Sequence, residues 1–162
     1  MLYRAFPPNA QFWNGLGGKI EEGETPLAAV QREMREEAGI DLEETPSLFF
    51  AGIITWGLVS QEPVKGMYAF IAYLSEQQAE MVHSLDTPEG FISWKPLAWV
   101  CDPNNQAVVN NIPRFLPLML KAQTPYEYFD AYESEDSSSE SFRQLVIRPL
   151  PSHIELSECQ GW

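Results

Sequence analysis

The sequence predicts a protein of the α/β class, in which strands and two amphipathic helices share one domain. The first observation is a helix with clear start and stop signals at 26–38, directly after a glycine-rich loop at 15–18. The second is a pair of runs rich in aromatic and β-branched residues, 47–59 and 65–74, which read as an antiparallel hairpin. The third is a further amphipathic segment at 108–120. A chain of 162 residues is long enough to bury one core of this kind.

The charge balance excludes one class of partner. Asp and Glu outnumber Lys and Arg by 23 to 10, which gives a formal net charge of −13. Such a chain lacks the basic surface that binds polymeric nucleic acid. A small phosphate substrate can still bind, because a bound cation inverts the local electrostatic field. No signal peptide or long apolar run is present, so we expect no membrane association. Cys101 and Cys159 have no metal-ligand spacing and predict free thiols in a reducing cytoplasm.

The helix at 26–38 is defined by its ends. Thr25 is a hydroxyl N-cap, and Pro26 suits the first helical position. Gly39 can adopt the left-handed conformation that ends a helix. Between these ends one apolar stripe follows the helical repeat. Its members are Leu27, Val30, Met34 and Ala38.

Three carboxylates lie beside that stripe. Glu33, Glu36 and Glu37 fall within an arc of roughly 100° on the helix surface. Like charges at these spacings repel by about 0.2–0.5 kcal/mol per pair on an exposed helix. A divalent cation turns the repulsion into binding, and oxygen ligands suit Mg²⁺, with Mn²⁺ as a substitute. The alternative is a solvated acidic face, but the caps, the glycine-rich approach and the Arg32–Glu33 pair in register favour a catalytic helix.

The stretch 18–40 resembles the Nudix box, the signature of hydrolases that cleave nucleoside diphosphates linked to another group. Its specified positions all match: Gly18, Glu24, Arg32, Glu33, Met34, Glu36, Glu37, Gly39 and Ile40. The resemblance implies a Nudix-type α/β/α sandwich, with a curved mixed sheet between the helices at 26–38 and 108–120. It implies a Nudix hydrolase domain at 1–122. Family members usually have another strand and a turn before the strand at 1–6, so we expect either a truncated chain or a start assigned too late.

The last forty residues predict a C-terminal β-ribbon. Segments 126–132 and 142–150 alternate between polar and apolar residues and flank the acidic, low-complexity segment 133–141. This pattern predicts a hairpin with a mobile tip and a loose tail from 151 onward. We expect 123–162 to pack on the same domain. The helix at 108–120 contains Pro113 and Pro117, which predict a kink or a split.

The family resemblance also implies the roles of individual residues. The catalytic and metal-ligating set is Glu33, Glu36, Glu37 and Glu89, together with the carbonyl of Gly17 as a metal ligand. Either Glu33 or Glu89 is the general base for the attacking water. Glu89 lies five residues before Trp94, and its alternative role is that of a turn glutamate beside Gly90. The supporting residues are Gly18, Glu24, Arg32 and Gly39, with the Arg32–Glu24 pair holding the loop rather than doing chemistry.

The string WNGLGGK at 13–19 narrows the resemblance to the MutT-type subgroup, which hydrolyses oxidised purine nucleoside triphosphates. The resemblance makes Asn14 a purine-binding residue, whereas the residues alone equally favour a turn asparagine before Gly15. Lys19 is a candidate phosphate contact, or its stem covers apolar surface. The candidates for base recognition, because an amide both donates and accepts, are Asn104, Asn105, Asn110 and Asn111. Asn104 is alternatively a helix cap.

Together these features predict an enzyme, a Mg²⁺-dependent hydrolase of a nucleoside triphosphate. An oxidised purine nucleotide of the 8-oxo-dGTP type is the expected substrate, with the nucleoside monophosphate and pyrophosphate as products. Two alternatives remain open: a Nudix hydrolase of a nucleotide sugar or dinucleoside polyphosphate, and a non-catalytic nucleotide-binding module. The presence of all the box carboxylates argues against the non-catalytic module. The expected state is a monomer or a homodimer.

Overall fold

A computed structural model describes residues 1–61, 65–82, 84–132 and 144–155. The predicted acidic segment 133–141 therefore lies outside the described residues, as do Cys159 and the tail beyond 155. The strands are β1 Leu2–Arg4, β2 Trp13–Asn14, β3 Ser47–Leu58, β4 Lys65–Tyr73, β5 Ser84–Thr87, β6 Gly90–Ser93, β7 Tyr126–Tyr132 and β8 Gln144–Arg148. The helices are α1 Pro26–Ala38, α2 Glu76–Met81, α3 Leu97–Val100 and α4 Ile112–Met119, with a 3-10 turn at Leu42–Glu44.

The strands form two four-stranded sheets, in the orders β2-β1-β6-β5 and β4-β3-β7-β8. The first sheet is antiparallel throughout, and β1 lies between β2 and β6. The second is mixed, because β3 pairs antiparallel with β4 and parallel with β7. This arrangement confirms the predicted α/β class and the sandwich. The prediction of one sheet is corrected, since β1 and β6 pair with each other and not with β3.

The predicted C-terminal hairpin forms from β7 and β8, and it is built into the second sheet. At Gly52 the backbone has φ +136°, and an added Cβ would lie 2.2 Å from the carbonyl oxygen of Tyr126. The glycine therefore lets β7 approach β3 closely enough to pair. This pairing joins the end of the chain to the strand that carries much of the core.

The helix α1 begins and ends at the predicted residues. The hydroxyl of Thr25 accepts a hydrogen bond from the N–H of Ala28 at 3.2 Å, and Gly39 ends the helix with φ +66°. The cluster that α1 covers joins it to the first sheet. Its buried members are Leu2, Ala38, Ile40, Leu42, Val82 and Ile92. The adjacent side of the helix, with the carboxylates of Glu33 and Glu37, contacts the glycine-rich loop.

The helix α4 is shorter than predicted. It begins at Ile112, where Pro113 falls in the first turn and needs no hydrogen-bond partner for its nitrogen. Residue Val108 instead makes an isolated parallel bridge to Trp13. Pro117 lies inside the helix, so the helix tolerates it without splitting. Phe115 packs with Ile54 of β3 in the second core cluster.

The face of β3 opposite α4 is covered by an unexpected segment. Successive strand residues point to opposite faces, so Ile53 and Ile54 lie on different sides of the sheet. Ile53 packs in a cluster with Phe50, and Leu150 and Ile154 pack against that cluster. The prediction of a loose tail from 151 onward is therefore wrong as far as Ile154. The prediction that α1 covers this face holds only near the beginning of β3, where Leu48 contacts the α1 cluster. No helix within the described ranges has the length and apolar character to cross a bilayer.

Candidate active site

Two glycines place the loop directly on the carboxylate face of α1. Gly17 has φ +131°, and its N–H donates to Oε2 of Glu37 at 2.9 Å. A Cβ added to Gly18 would lie 2.2 Å from Oε1 of Glu33 and 2.4 Å from its carboxyl carbon. Position 18 therefore has room for no side chain unless Glu33 moves. The loop and the helix together form a cradle around these two carboxylates.

Trp13 anchors the beginning of this loop. Its backbone N–H donates to the carbonyl of Ala107, and its carbonyl accepts from Val109. Its ring lies edge-on to that of Trp99, with 6.4 Å between the ring centroids. The ammonium of Lys95 lies 4.0 Å from the Trp13 ring centroid, a cation–π contact. The loop that follows Trp13 is consequently fixed at its start against the segment that leads into α4.

Glu37 is the most unusual group in the site. The residue is only 9% exposed. Burial raises its pKa to about 7; the carboxylates of Glu89 and Glu33 also raise it, whereas the N–H of Gly17 and the charge of Arg4 lower it. Its Oε1 is buried and accepts no hydrogen bond from any described residue. A buried carboxylate oxygen with no donor is costly unless a cation or another donor satisfies it.

Arg32 ties the remaining box residues together. Its Nε and Nη2 donate to the two carboxylate oxygens of Glu24 at 2.9 and 3.0 Å, and this hydrogen bonding lowers the pKa of Glu24. Its Nη1 donates to Glu33 at 2.7 Å and to Glu36 at 3.3 Å. Its Nη2 also donates to the carbonyl of Lys19 at 3.0 Å. One guanidinium therefore fixes both the loop and the orientation of Glu33.

Glu89 reaches the site from a different part of the chain. The pairing of β1 with β6 places Arg4 opposite Gly90, and the N–H of Ala5 donates to the carbonyl of Glu89 at 2.9 Å. A Cβ on Gly90 would lie 2.0 Å from the carbonyl oxygen of Tyr3, so this pairing needs glycine. The Arg4 guanidinium lies 3.5 Å from the Glu89 carboxylate. Arg4 is thus a site residue that the sequence analysis missed; its only signal is a single charge in an apolar strand.

A family model of the NUDIX domain matches residues 1–117, well over half of the chain. The protein belongs to the Nudix family. Nudix hydrolases generally use divalent metal cations. The matched region contains the loop, α1, the strands β1 and β6, and most of α4.

Two curated relatives are similar over shorter stretches. The oxidized purine nucleoside triphosphate hydrolase of Mus musculus is 35% identical over 60 residues, which cover 37% of this chain and 36% of the mouse protein. The 8-oxo-dGTP diphosphatase of Proteus vulgaris is 52% identical over 33 residues, 20% of this chain and 30% of the bacterial protein. The chain thus matches about a third of the length of these relatives.

The predicted metal-ligating carboxylates do not converge as they stand. In the described part of the chain, no three His, Cys, Asp or Glu side chains are grouped closely enough to hold a metal ion. Glu33 is held by Arg32, and Glu89 lies beside Arg4. Glu36 is 62% exposed on its side chain. The two arginines therefore occupy the carboxylates that the Nudix resemblance assigns to the metal.

The loop residues predicted to bind substrate have structural contacts of their own. The side-chain oxygen of Asn14 accepts a hydrogen bond from the N–H of Gly15 at 2.9 Å, which is a turn contact. Lys19 is exposed, and its backbone carbonyl is the group that contacts Arg32. The base-binding role of Asn14 and the phosphate-binding role of Lys19 remain predictions.

The asparagines before α4 differ from one another. The side chain and N–H of Asn104 both donate to Oδ1 of Asp102, so Asn104 belongs to a local turn. Its alternative role as a helix cap is wrong, because α4 begins only at Ile112. Asn105, another of the predicted base-recognition candidates, donates to the carbonyl of Trp99 at 2.7 Å. Asn111 immediately precedes α4 without capping it, and its Oδ1 is buried with no described partner.

Proposed function

We propose that this Nudix protein is a Mg²⁺-dependent pyrophosphohydrolase of nucleoside triphosphates that acts on an oxidised purine nucleotide of the 8-oxo-dGTP type. The products are the nucleoside monophosphate and pyrophosphate. The observation that carries the proposal is the buried, unpartnered Oε1 of Glu37 in the glycine cradle. The choice of substrate is supported by the names of the two relatives, each of which hydrolyses an oxidised purine nucleotide according to its name.

The donor atoms of the site suit a hard divalent cation by their chemistry, and the carboxylates need to move together to bind it, since they do not converge as they stand. The proposed ligands are the carboxylates of Glu33, Glu36, Glu37 and Glu89 and the carbonyl of Gly17, all of them oxygen donors suited to Mg²⁺ or Mn²⁺. The unsatisfied oxygen of Glu37 supports this fit, and Gly18 lets the Glu33 carboxylate lie directly against the loop. Such a cation, when bound, neutralises charge on the phosphate chain and lowers the pKa of water.

The protein residues supply the rest of the reaction. Arg32 and Glu24 hold the loop against α1, so that the cradle keeps its shape during turnover. Glu33 and Glu89 are the two alternatives for accepting the proton of the attacking water. Glu89 is half-exposed and is bound by one long ion pair, whereas Glu33 has a short hydrogen bond to Arg32. Glu89 is therefore the group that is freer to move toward a water molecule.

Asn111 is the best-supported base-recognition residue in this proposal. Its buried Oδ1 has no described donor, and it lies in the segment whose backbone pairs with Trp13. An unsatisfied acceptor at that place suits the N–H edge of a purine. Asn14 and Asn104 contribute less because their amides already serve their own turns. The proposal also includes a cytoplasmic monomer or homodimer without polymeric nucleic acid partners, which the net charge of −13 supports.

The deciding experiment measures release of pyrophosphate from a panel of nucleotides with Mg²⁺, with Mn²⁺ and with EDTA. The panel contains 8-oxo-dGTP, dGTP, dCTP, a nucleotide sugar and a dinucleoside polyphosphate. The proposal requires metal-dependent turnover with the highest kcat/KM on 8-oxo-dGTP. A higher kcat/KM on the nucleotide sugar or the dinucleoside polyphosphate would make that compound the substrate instead. Binding without turnover of any compound would favour a non-catalytic module.

A second readout tests the metal without turnover. A cation that binds only the folded protein should stabilise it by about 2.7 kcal/mol at 100 times its dissociation constant. We therefore expect Mg²⁺ and Mn²⁺ to raise the melting temperature of the wild-type protein. A melting temperature that does not change over that range would count against the metal site.

A further inference from the structure

The four edge strands of the two sheets, β2, β5, β4 and β8, differ in how well they are protected. The unpaired N–H and C=O groups of an edge recruit another strand unless the edge is short, charged, interrupted by proline or covered. The strand β2 has two residues, and Val108 bridges to it. The strand β5 has four residues including Asp86, and Pro88 follows it. The strand β8 has five residues and ends at Arg148, before Pro149.

The strand β4 has none of these protections over most of its length. It has nine residues, which extend over about 30 Å. Its one charge, Lys65, is the first residue, and the strand contains no proline. The irregularity in the β3–β4 pairing lies on β3, between Phe50 and Gly52, so β4 alternates regularly. Among the described residues β3 is the only strand that pairs with β4. The outer edge of β4 can therefore accept another strand.

The exposed apolar side chains of β4 lie near its two ends. Met67 is 41% exposed and Tyr73 is 59% exposed. They share one face of the sheet, because side chains alternate between the faces with a period of two residues. The Tyr73 ring stacks on Phe49 of β3, with 6.2 Å between the ring centroids. Between them Ala69 and Ile71 pack against the core cluster of α4. Two exposed apolar groups thus flank a covered centre.

We propose that β4 pairs with β4 of a second copy of this chain in antiparallel orientation, so that the protein is a homodimer with one continuous eight-stranded sheet. The two-fold axis passes beside Phe70. This register places Met67 of each copy opposite Tyr73 of the other, and a thioether packs well against aromatic rings. The same contact forms twice, as in any isologous interface. The proposal depends on neither the metal nor the substrate of the proposed function.

The charges of β4 favour the same register. With the axis at Phe70, Lys65 of one copy lies opposite Ser75 of the other and beside Glu76, the first residue of α2. No like charges are then placed directly opposite each other, an arrangement that would destabilise the pair. Moving the axis by one residue in either direction separates Met67 from Tyr73 and leaves both exposed groups without an apolar partner of their own kind. The second copy is therefore the occupant that fits this edge.

The net charge of −13 on each chain opposes association. At an ionic strength of about 0.15 M the screening length is about 8 Å, so most of this repulsion between distant exposed charges is removed. One strand pair with two apolar contacts makes a small interface, and small interfaces belong to weak, reversible complexes. We therefore expect a dimer that forms in the micromolar range of protein concentration.

The test is sedimentation equilibrium at about 0.15 M salt over about 1–300 µM protein. The wild-type protein should approach twice the mass of the chain, with a dissociation constant below about 100 µM. The double variant Met67→Lys/Tyr73→Lys places like charges opposite each other twice and should dimerise about tenfold or more weaker. The variant Met67→Glu/Tyr73→Lys places opposite charges there and should dimerise about tenfold or more tighter than the double-lysine variant.

This pair of variants separates the register from net charge. The double-lysine variant changes the net charge from −13 to −11, because two positive charges are added, so reduced overall repulsion alone would tighten its dimer. Positions 67 and 73 are about 20 Å apart along one strand, so a rescue by opposite charges must act between copies. Ile147→Lys is the matched control on the edge strand β8, where Ile147 is 47% exposed. It should dimerise within about twofold of the wild-type protein.

A second pair of variants keeps the test informative if the double-lysine variant does not fold. Lys65→Glu should weaken the dimer about threefold or more, because it brings like charges together beside Glu76 of the other copy. Adding Glu76→Lys should restore the wild-type dissociation constant. Melting curves of all variants measure whether the fold is intact.

Four results would overturn the proposal. The first is a wild-type protein that sediments as a single chain at every concentration. The second is a Met67→Glu/Tyr73→Lys variant that dimerises no tighter than the double-lysine variant. The third is a loss in Ile147→Lys as large as that in the double-lysine variant, which would place the contact at β8. The fourth is a reversal of Lys65 and Glu76 that restores nothing.

Discussion

The two ends of the candidate site differ in how many of their polar side chains already have hydrogen-bond partners. The acidic end consists of Gly17, Gly18, Glu33 and Glu37, and the amide end consists of Asn14, Asn104, Asn105 and Asn111. At the acidic end the loop and helix hold a buried carboxylate oxygen without a partner. At the amide end three of the four side chains already bind their own turns or the carbonyl of Trp99. Only Asn111 retains a buried oxygen without a described partner there.

The difference shows which binding steps need rearrangement. A preformed, unsatisfied group can bind a ligand without losing an existing contact, so its interaction contributes in full. An amide that already makes a turn must exchange one hydrogen bond for another, and the net gain is small. The acidic end should therefore determine turnover on every substrate. The amide end should discriminate among bases mainly through Asn111.

The largest effect is expected from Glu37→Gln, which removes the central charge of the acidic end at nearly constant volume. Turnover at saturating Mg²⁺ should fall on the order of 10²-fold or more for all nucleotides, because preorganised electrostatic groups contribute that much. The metal-free melting temperature should not fall, since the substitution also removes repulsion from Glu33 and Glu89. Steady-state kinetics and a melting curve test both parts. Retention of more than about a tenth of wild-type kcat would contradict the central role of Glu37.

Gly18→Ala disturbs the same end indirectly. The added Cβ would overlap the Glu33 carboxylate, which must turn away because it is the flexible end of a side chain. We expect the apparent Mg²⁺ affinity or kcat/KM to fall by about 10- to 100-fold, the usual effect of changing the support of a ligand. Gly15→Ala is the matched control in the same loop, because its Cβ would meet nothing within 4 Å. Similar losses in both variants would show that loop stiffness matters and not the position of Glu33.

Asn111→Ala addresses the amide end. We expect kcat/KM on 8-oxo-dGTP to fall by about tenfold, since leaving a base edge unpaired costs on the order of 1–3 kcal/mol. The loss on dCTP should be much smaller, and the melting temperature should not fall, because an unsatisfied buried acceptor has gone. Asn104→Ala is the control, since among the described residues its amide donates to Asp102 of its own turn. Equal losses on the purine and pyrimidine nucleotides would rule out base recognition by Asn111.

The smallest effect is expected from Glu36→Gln, on the same helix as the acidic end. The Glu36 side chain is 62% exposed and has one hydrogen bond of 3.3 Å to Arg32. Exposed ion pairs of this kind contribute about 0–1 kcal/mol. We therefore expect kcat/KM to fall by no more than about fivefold. A Mg²⁺ titration of the activity of Glu36→Gln and of Glu37→Gln measures the contrast. A loss in Glu36→Gln as large as that in Glu37→Gln would mean that the burial of a carboxylate does not predict its contribution as a ligand.

Much of the acidic end follows from local sequence. Thr25 and Gly39 set the ends of α1, and the spacing of Glu33, Glu36 and Glu37 places them on one face of any helix formed there. The glycines before the helix predict that the loop backbone can lie close to a neighbouring group. These features depend on residues within about one or two helical turns of each other, so no knowledge of the rest of the chain is needed.

The amide end could not be ranked in the same way. Four asparagines have the same chemistry in the sequence, and each can form a turn or bind a base. Which of them lacks a partner depends on the positions of Asp102, Trp99 and the start of α4. The sequence analysis therefore named Asn104, Asn105 and Asn110 alongside Asn111, with Asn14 in the loop. The tertiary contacts separate Asn14, Asn104 and Asn105 from Asn111.

The sequence by itself determined the α/β class, the capped helix and the carboxylates that this helix carries, because each depends on spacing along a few turns of chain. Only the tertiary structure decided that Arg4 faces Glu89 and that β7 joins β3 beside Gly52. Strand pairing brings together residues that are far apart in sequence, and its register depends on the whole core and not on local periodicity. The partner of a charged residue on a short strand is therefore known only when the sheet is known.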